Sequence, residues 1–211
     1  YNGEDLLELL LQIPQCAVKT VDRFQVALDG EPEPRFVFNN YFSFGIDAAI
    51  ALNFHTLRNK NPTLLSSRAG NKVAYVLCST PQMIGEPKMA SVLAIEVDGR
   101  PVDLPKIEGL AFLNVPTYGG GNKFWKEPSV EERAFGFRPI LMDDGLFEIV
   151  GFEGAINLGA CVSGTGLTTP IRIAQGRRAV VTIQKQVACQ CDGEPFMQEP
   201  TTMVIELHET V

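Results

Sequence analysis

Two segments of the chain repeat their apolar residues at helical spacing. Near the start, Leu6, Leu10 and Ile13 lie on one face, and Pro14 follows directly. This spacing predicts a short helix that ends at the proline. A second helix is predicted over residues 45–59, where apolar residues again recur every three or four positions. Residues 71–78 fit a helix or a strand equally well on periodicity alone.

Most of the remaining apolar residues follow the pattern of strands. Phe24, Val26 and Leu28 alternate with polar or small residues up to Asp29-Gly30, which predicts a half-buried strand and a turn. Other apolar stretches, bounded by Gly- and Pro-rich turns, predict further strands at 35–38, 92–97, 110–115, 146–152, 179–183, 186–191 and 202–207.

The order of these elements indicates the fold class. A helix-containing front followed by a long run of strands predicts an α+β fold that is mainly β, an antiparallel β-sandwich with a few packed helices. A doubly wound parallel sheet would need regular alternation of strands and helices. Residues 119–139 form the longest irregular stretch, and a loop of this length is typical of a functional or a disordered segment.

Composition and charge restrict the possible partners. The 211 residues are 45% hydrophobic and 20% charged, which fits one globular domain. A net charge of −7 argues against a general nucleic-acid binder and against strong electrostatic docking on anionic membranes. The basic cluster Arg172, Arg177, Arg178 and Lys185 is typical of a solvated surface. The chain starts at Tyr1 rather than at Met, which predicts a piece or a processed product of a longer protein.

The cysteines favour core packing over metal binding. Five cysteines occur without a C-x-x-C pair, and His55 and His208 stand alone, so a tetrahedral zinc set is not indicated. Cys189 and Cys191 share one face of a predicted strand. We interpret the cysteines as reduced thiols in a cytosolic protein.

Asp-Gly occurs four times and is the commonest short hairpin signal. At Asp29 and Asp98 we interpret it as a turn alone. At Asp192-Gly193-Glu194 two carboxylates stand two positions apart at a strand end, so one could act as a general base while the other holds a metal or a ribose hydroxyl.

Two other turns have candidate chemistry. Asp143-Asp144-Gly145 combines paired carboxylates with a tight turn, and hard cations such as Mg²⁺ bind carboxylate and backbone carbonyl oxygens. Gly119, Gly120 and Gly121 could offer backbone N–H groups to a phosphate. That run lacks the Lys-Ser/Thr of a P-loop. For each turn, an ordinary structural role remains an alternative.

Several segments together resemble one family, the diacylglycerol kinase accessory domain. The most extended match is Phe38-Asn39-Asn40-Tyr41-Phe42-Ser43-Phe44-Gly45-Ile46-Asp47-Ala48. Similar agreement continues at Leu113-Asn114-Val115-Pro116, Tyr118-Gly119-Gly120-Gly121, Asp143-Asp144-Gly145-Leu146, Ile171-Arg172-Ile173-Ala174-Gln175 and Asp192-Gly193-Glu194-Pro195-Phe196-Met197-Gln198. The order and spacing fit the family from about residue 36 to about residue 208. Residues 1–35 resemble the segment that connects the two lobes, together with the first strands, and 36–211 the accessory domain.

The resemblance implies the second lobe of the soluble lipid-kinase fold. Such kinases use ATP and Mg²⁺ to convert diacylglycerol to phosphatidic acid, in a cleft between two lobes. By this resemblance Asp192 is the general base for the lipid hydroxyl, with Gly193, Glu194 and Gly119–Gly121 expected to contact nucleotide or substrate. Asp144 is expected to bind a structural Mg²⁺ with backbone carbonyls of Leu141 and Leu146.

One expected motif is absent from the sequence. The Gly-Gly-Asp-Gly-Thr nucleotide loop of the first lobe does not occur in these 211 residues. We therefore expect this chain to be inactive alone and to need a nucleotide-binding lobe, in the same or a separate chain. A cytoplasmic location with transient membrane contact follows from the resemblance. The alternatives are a non-catalytic lipid- or partner-binding β-sandwich and a related sphingoid or ceramide kinase.

Overall fold

Two antiparallel six-stranded sheets form the body of the molecule. The computed structural model describes residues 6–60, 87–119, 121–162 and 168–211. The first sheet has the order β2-β1-β12-β9-β4-β5 and the second β11-β10-β3-β6-β7-β8. The strands are β1 Asp22–Leu28, β2 Phe36–Phe38, β3 Tyr41–Gly45, β4 Leu93–Val97, β5 Arg100–Val102, β6 Gly109–Leu113, β7 Phe147–Phe152, β8 Ile171–Gly176, β9 Arg178–Ile183, β10 Val187–Cys191, β11 Glu194–Gln198 and β12 Thr201–Thr210. The predicted mainly β sandwich is confirmed.

Four α-helices occur in the described residues, and the second and the fourth of them pack on the second sheet. Among the described residues they are α1 Leu6–Gln12, α2 Ile46–Lys60, α3 Val130–Ala134 and α4 Ala155–Val162. Helix α2 packs on β3, β10 and β11 and also contacts α4. Both predicted helices are therefore present, while residues 71–78 lie outside the described part of the chain. None of the described helices is long and apolar enough to cross a bilayer.

The two sheets differ in how many of their faces are buried. In the first sheet, β1 and β4 alternate between buried and less buried residues, because their outer face is open to water. In the second sheet, every residue of β6 and β7 is buried, because the other sheet covers one face and helices cover the other. The second sheet therefore contains most of the buried polar residues discussed below.

Four strands and two helices of the described residues were not predicted. The unpredicted strands are β3, β5, β8 and β11, and α4 is one of the unpredicted helices. The other is α3, which lies within the predicted irregular stretch 119–139. A capping box begins α3: Ser129 accepts a hydrogen bond from the Glu132 N–H, and the Glu132 side chain accepts one from the Ser129 N–H.

The cysteines of the described residues are free thiols. Cys189 is fully buried and Cys191 partly buried, and both pack in the core between the sheets. Burial raises the pKa of Cys191 to about 12, with the charge of Asp192 adding to the effect. Cys16 is exposed and Cys161 buried, and Cys78 lies outside the described residues.

Candidate functional site at one end of the second sheet

The strand ends bring the predicted site residues to the same end of the second sheet. Tyr41, the first residue of β3, pairs with Leu113 at the end of β6, which pairs with Glu148 near the start of β7. The turn at Asp192 follows β10 at this end, and the turn at Asp144 precedes β7. Residues far apart in sequence thus lie at one edge.

The Asp192-Gly193 pair forms a two-residue hairpin turn. Both residues have positive φ, 46° for Asp192 and 94° for Gly193, and the flanking residues Cys191 and Glu194 pair directly. This is the turn geometry that Asp-Gly favours between antiparallel strands. Asp192-Gly193 is therefore an ordinary hairpin turn and at the same time part of the candidate site.

The carboxylate of Asp192 is held by a neighbouring turn. It accepts hydrogen bonds from the backbone N–H groups of Asn39, Asn40 and Tyr41 at 2.7, 2.8 and 2.9 Å. The N–H of Asp192 donates in return to the Tyr41 carbonyl at 3.0 Å. Hydrogen bonds to a charged acceptor are strong, so these contacts fix both the turn and the direction of the carboxylate.

A groove of about 350 Å³ lies beside this turn. Gly193 and Glu194 line it on one side, and His55 and Arg58 of α2 line it on the other, with Tyr41 between them. Burial, with the charges of Asp47 and Asp192, raises the pKa of Tyr41, so its hydroxyl stays protonated. One acidic side chain, Glu194, and two basic side chains, His55 and Arg58, therefore line the groove next to the Asp192 turn.

A buried polar cluster lies under the groove. Asp47, in the first turn of α2, accepts hydrogen bonds from the Ser43 hydroxyl at 2.8 Å and from the Gln190 amide. All three residues are buried. Burial raises the pKa of Asp47. These contacts tie α2 to β3 and β10 beneath the groove.

The Asp144 turn is held by a second buried carboxylate, Asp22. The Gly145 N–H donates to Asp22 at 2.6 Å, and the Asp144 carboxylate accepts from the Leu146 N–H at 3.1 Å. Asp22 also accepts a hydrogen bond from the Thr210 hydroxyl at 2.6 Å. Burial raises the pKa of Asp144, and the nearby charge of Asp22 adds to this effect.

The oxygen atoms at this turn suit a hard cation that has few protein ligands. Two carboxylates, Asp22 and Asp144, lie close enough for their charges to interact. Within the described residues the carbonyl of Leu141 accepts no hydrogen bond, so its oxygen is available. Also within them, no three His, Cys, Asp or Glu side chains cluster, so the remaining ligands would be backbone oxygens and water, which Mg²⁺ accepts.

An aromatic contact connects the turn that contains Gly119 and Gly121 to the region of the Asp192 turn. Tyr118 and Asn122 exchange backbone hydrogen bonds at 2.8 and 3.0 Å, which closes the turn around Gly119 and Gly121. The rings of Tyr118 and Tyr41 have centroids 4.6 Å apart. Gly120 lies outside the described residues. A phosphate role for these glycines remains a prediction.

Comparison with known proteins decides the family. The sequence model of the diacylglycerol kinase accessory domain matches residues 37–195. The chain belongs to the diacylglycerol kinase accessory-domain family. It is 35% identical to diacylglycerol kinase theta of Homo sapiens and of Rattus norvegicus, over 97% of this chain. The chain spans only 22% and 23% of the length of these two relatives.

A solved structure supports the accessory-domain fold. A Bacillus anthracis str. Sterne protein assigned as a diacylglycerol kinase superposes on 94% of this chain with a TM-score of 0.52 and 18% identity. The aligned part is 57% of that chain. At this identity the likeness shows the fold alone.

Three buried polar residues of this region were not identified from the sequence. Asp22 and Asn114 lie at strand ends, and Glu148 lies within β7. For two of them, the sequence contains a pattern that could have identified them. The alternation of Phe24 and Val26 places Asp22 on the same inward face, and Glu148 interrupts an otherwise apolar run. Asn114 stands in the matched segment Leu113-Asn114-Val115-Pro116, but its contacts are to residues distant in sequence, so no local pattern predicts them.

The basic cluster does not behave as one solvated surface. The Arg172 side chain is only 13% exposed, pairs with Glu132 at 3.1 Å and lies 4.4 Å from the centre of the Trp125 ring. It also donates to the Lys126 carbonyl at 2.8 Å. The interpretation as a solvated surface is wrong for Arg172, which instead anchors the 119–139 stretch. Arg178 fits it better, because its side chain is 53% exposed.

Proposed function

We propose that this chain is the accessory lobe of an ATP-dependent diacylglycerol kinase that makes phosphatidic acid. In this proposal Asp192 is the general base for the lipid hydroxyl. The observation that supports it best is the fixed direction of the Asp192 carboxylate, which three backbone N–H groups hold beside an open groove. Family membership supports the class of reaction.

The chemistry requires one proton acceptor near an alcohol. The lipid hydroxyl oxygen forms a bond to the γ-phosphorus of ATP as the bond from that phosphorus to ADP breaks. The hydroxyl proton passes to the Asp192 carboxylate. Positioning and charge stabilisation supply most of the catalysis in phosphoryl transfer, so a rigidly held base suits the reaction. Glu194 and Gly193 line the groove next to this base and are proposed to contact substrate or nucleotide.

The Asp144 turn is proposed to bind a structural Mg²⁺. Asp144 would supply a carboxylate oxygen, and Leu141 and Leu146 would supply backbone carbonyl oxygens. A bound cation offsets negative charge, and here two neighbouring carboxylates, Asp22 and Asp144, would otherwise face each other.

The proposed function needs a second lobe that supplies the nucleotide loop. Helix α1 and the segment after it support such a partner, because Leu10, Leu11 and Ile13 are 52–67% exposed. Apolar side chains grouped at a chain surface are typical of an interface. The lipid substrate further implies transient contact of a cytoplasmic enzyme with a membrane.

A non-catalytic binding module is the second candidate, and one observation favours it. Asp98, in another Asp-Gly turn, also accepts backbone N–H groups, from Arg177 at 3.1 Å and Arg178 at 2.9 Å. Asp192 therefore resembles a purely structural turn residue in its contacts.

Asp98 is a matched control for the catalytic role of Asp192. In a kinase that contains both lobes, Asp192→Asn should lower kcat at least about 100-fold, the scale of a lost general base. Asp98→Asn removes a similar carboxylate from a similar turn and should leave kcat within about threefold. The residual rate of Asp192→Asn should rise with pH, because hydroxide then replaces the missing base. The measurement is phosphatidic acid formation from ATP and diacylglycerol vesicles.

Near-normal activity of Asp192→Asn would remove Asp192 from the base role. Equal losses in both variants would assign the effect to turn stability. A sphingoid or ceramide kinase would instead phosphorylate those lipids in preference to diacylglycerol in the same assay.

A further inference from the structure

Asn114 lies between the two turns of the candidate site. It follows β6 and is completely buried. Its side-chain amide donates to the Asp22 carbonyl at 2.5 Å and to the Asn39 carbonyl at 2.7 Å. Its backbone N–H donates to the Asn40 carbonyl at 2.9 Å. One residue therefore connects the start of β1 to the turn between β2 and β3.

These contacts complete a continuous path of hydrogen bonds. At one end, the Asn39 N–H donates to the Asp192 carboxylate at 2.7 Å. At the other end, the Asp22 carboxylate accepts from the Gly145 N–H at 2.6 Å. The path thus runs from the Asp192 turn through Asn39, Asn114 and Asp22 to the Asp144 turn. Every step joins residues held in different elements.

The orientation of the Asn114 amide follows from its surroundings. The two atoms it contacts are carbonyl oxygens, which accept but cannot donate, so the NH₂ group must face them. Its own oxygen is buried without a hydrogen-bond donor among the described residues. A buried acceptor without a hydrogen bond carries the full cost of its desolvation. Burial of the Asn114 side-chain oxygen therefore destabilises the fold, and the two hydrogen bonds that the amide donates are the stabilising contribution of this side chain.

Asn114 acts on the segment that orients Asp192. Asn39 and Asn40 form the link between β2 and β3, and this link supplies two of the three N–H groups that hold the Asp192 carboxylate. Asn114 holds the same link from the opposite side through the Asn39 and Asn40 carbonyls. Loss of the amide frees this link on one side, and the carboxylate then loses its fixed direction.

We propose that Asn114 is a positioning residue that couples the Asp144 turn to the Asp192 turn. The inference rests on the proposed function for its effect on catalysis, but its structural part is independent of that function. Asn114 does not contact the proposed substrate groove. It acts through Asn39 and Asp22.

The first test is Asn114→Ala in a kinase that contains both lobes. We expect kcat to fall at least about tenfold with the KM for ATP within about threefold, because small displacements of a catalytic group are costly while the nucleotide loop belongs to the other lobe. Amide hydrogen exchange at residues 39–41 and at 145 should become at least about tenfold faster, as their hydrogen-bond partners loosen. Asn114→Ser keeps one hydrogen-bond donor. Its kcat and its exchange rates should lie between those of wild type and Asn114→Ala.

Asn157 is the matched control. Its side-chain amide donates to the Thr168 hydroxyl at 3.2 Å, and it lies in α4, beyond the end of β7 opposite to the candidate site. Asn157→Ala should leave kcat and the exchange at 39–41 unchanged.

The two readouts separate the possible failures. Unchanged exchange at 39–41 and 145 in both Asn114 variants would overturn the coupling. Faster exchange with unchanged kcat, in an enzyme that Asp192→Asn inactivates, would overturn the positioning role. If Asp192→Asn is fully active, the general-base proposal fails, and the exchange measurement alone still decides whether Asn114 couples the turns.

Discussion

Glu148 shows how a single buried carboxyl links stability to pH. It is fully buried in β7 and accepts a hydrogen bond from the Gln175 amide at 2.6 Å, while its second oxygen has no donor among the described residues. Burial raises its pKa to about 8. The carboxyl is therefore protonated in the folded protein near neutral pH and ionised in the unfolded chain.

This difference predicts a loss of stability as pH rises. Between the ordinary value of 4.5 and about 8, the folded state holds a proton that the unfolded state lacks, so stability falls across this window and levels off above it. One pKa unit corresponds to about 1.4 kcal/mol, so the Glu148 contribution should be about 2–5 kcal/mol. Glu148→Gln keeps the shape without the ionisation and should reduce this slope. The measurement is urea unfolding of the chain from pH 5 to pH 9 in the presence of a chelator.

Parallel pH profiles for wild type and Glu148→Gln would contradict this account. The opposite sign, in which wild type gains stability relative to the variant from pH 5 to pH 8, would show that the folded state favours the carboxylate.

At the scale of elements, the turn before β7 predicts how the chain responds to Mg²⁺. If Asp144 binds the metal, Mg²⁺ should raise the melting temperature of wild type, because a ligand that binds only the folded state stabilises it. Asp144→Ala should abolish that rise. Asp143→Ala is the control, since Asp143 is exposed and accepts a hydrogen bond from the Thr20 hydroxyl at 2.8 Å. Thermal unfolding with and without Mg²⁺ measures both.

The outcome at Asp143 decides how specific the site is. A Mg²⁺ response that persists in Asp144→Ala, or that disappears equally in Asp143→Ala, would contradict the assignment of Asp144 as the ligand.

The strands differ in how clearly their residue pattern marks them in the sequence. Buried and less buried residues alternate in strand β1 because one side of it meets water, so the spacing of Phe24, Val26 and Leu28 predicted this strand. Strand β3 is buried on both sides and reads Tyr-Phe-Ser-Phe-Gly, so its polar Ser43 lies inside rather than outside. Strand β6 is also buried on both sides, but its nearly continuous apolar run predicted it, whereas Ser43 interrupts the apolar run of β3.

The candidate site was predictable only where chemistry lies in a local motif. Asp192 and Asp144 stand in Asp-Gly turns, and the sequence resemblance gave them roles. Asn114 contacts Asp22 across 92 positions and Asn39 across 75, and only the sheet pairing brings these residues together. Such a contact depends on the whole fold, so no local pattern reveals it.

At the scale of the whole molecule, the chain matches only one part of its longer relatives. It spans 22% of the length of the human relative, and the nucleotide loop of the first lobe does not occur in its sequence. We therefore predict that the purified 211 residues do not phosphorylate diacylglycerol above background. The assay is radiolabelled ATP with diacylglycerol vesicles, with and without the first lobe added. Appreciable phosphorylation by the chain alone would contradict the two-lobe proposal.

The pairing of the first strand with the last one governs when the molecule can fold. Strand β1 lies between β2 and β12, and the contact of Asp22 with Thr210 spans 188 positions. A ribosome adds about 5–20 residues per second, so β1 waits on the order of 10–40 s for its partner. During that interval Phe24 and Val26, which end fully buried, remain exposed. The first sheet can therefore close only after β12 has been synthesised, and a truncation within Thr201–Thr210 removes the strand that pairs with both β1 and β9.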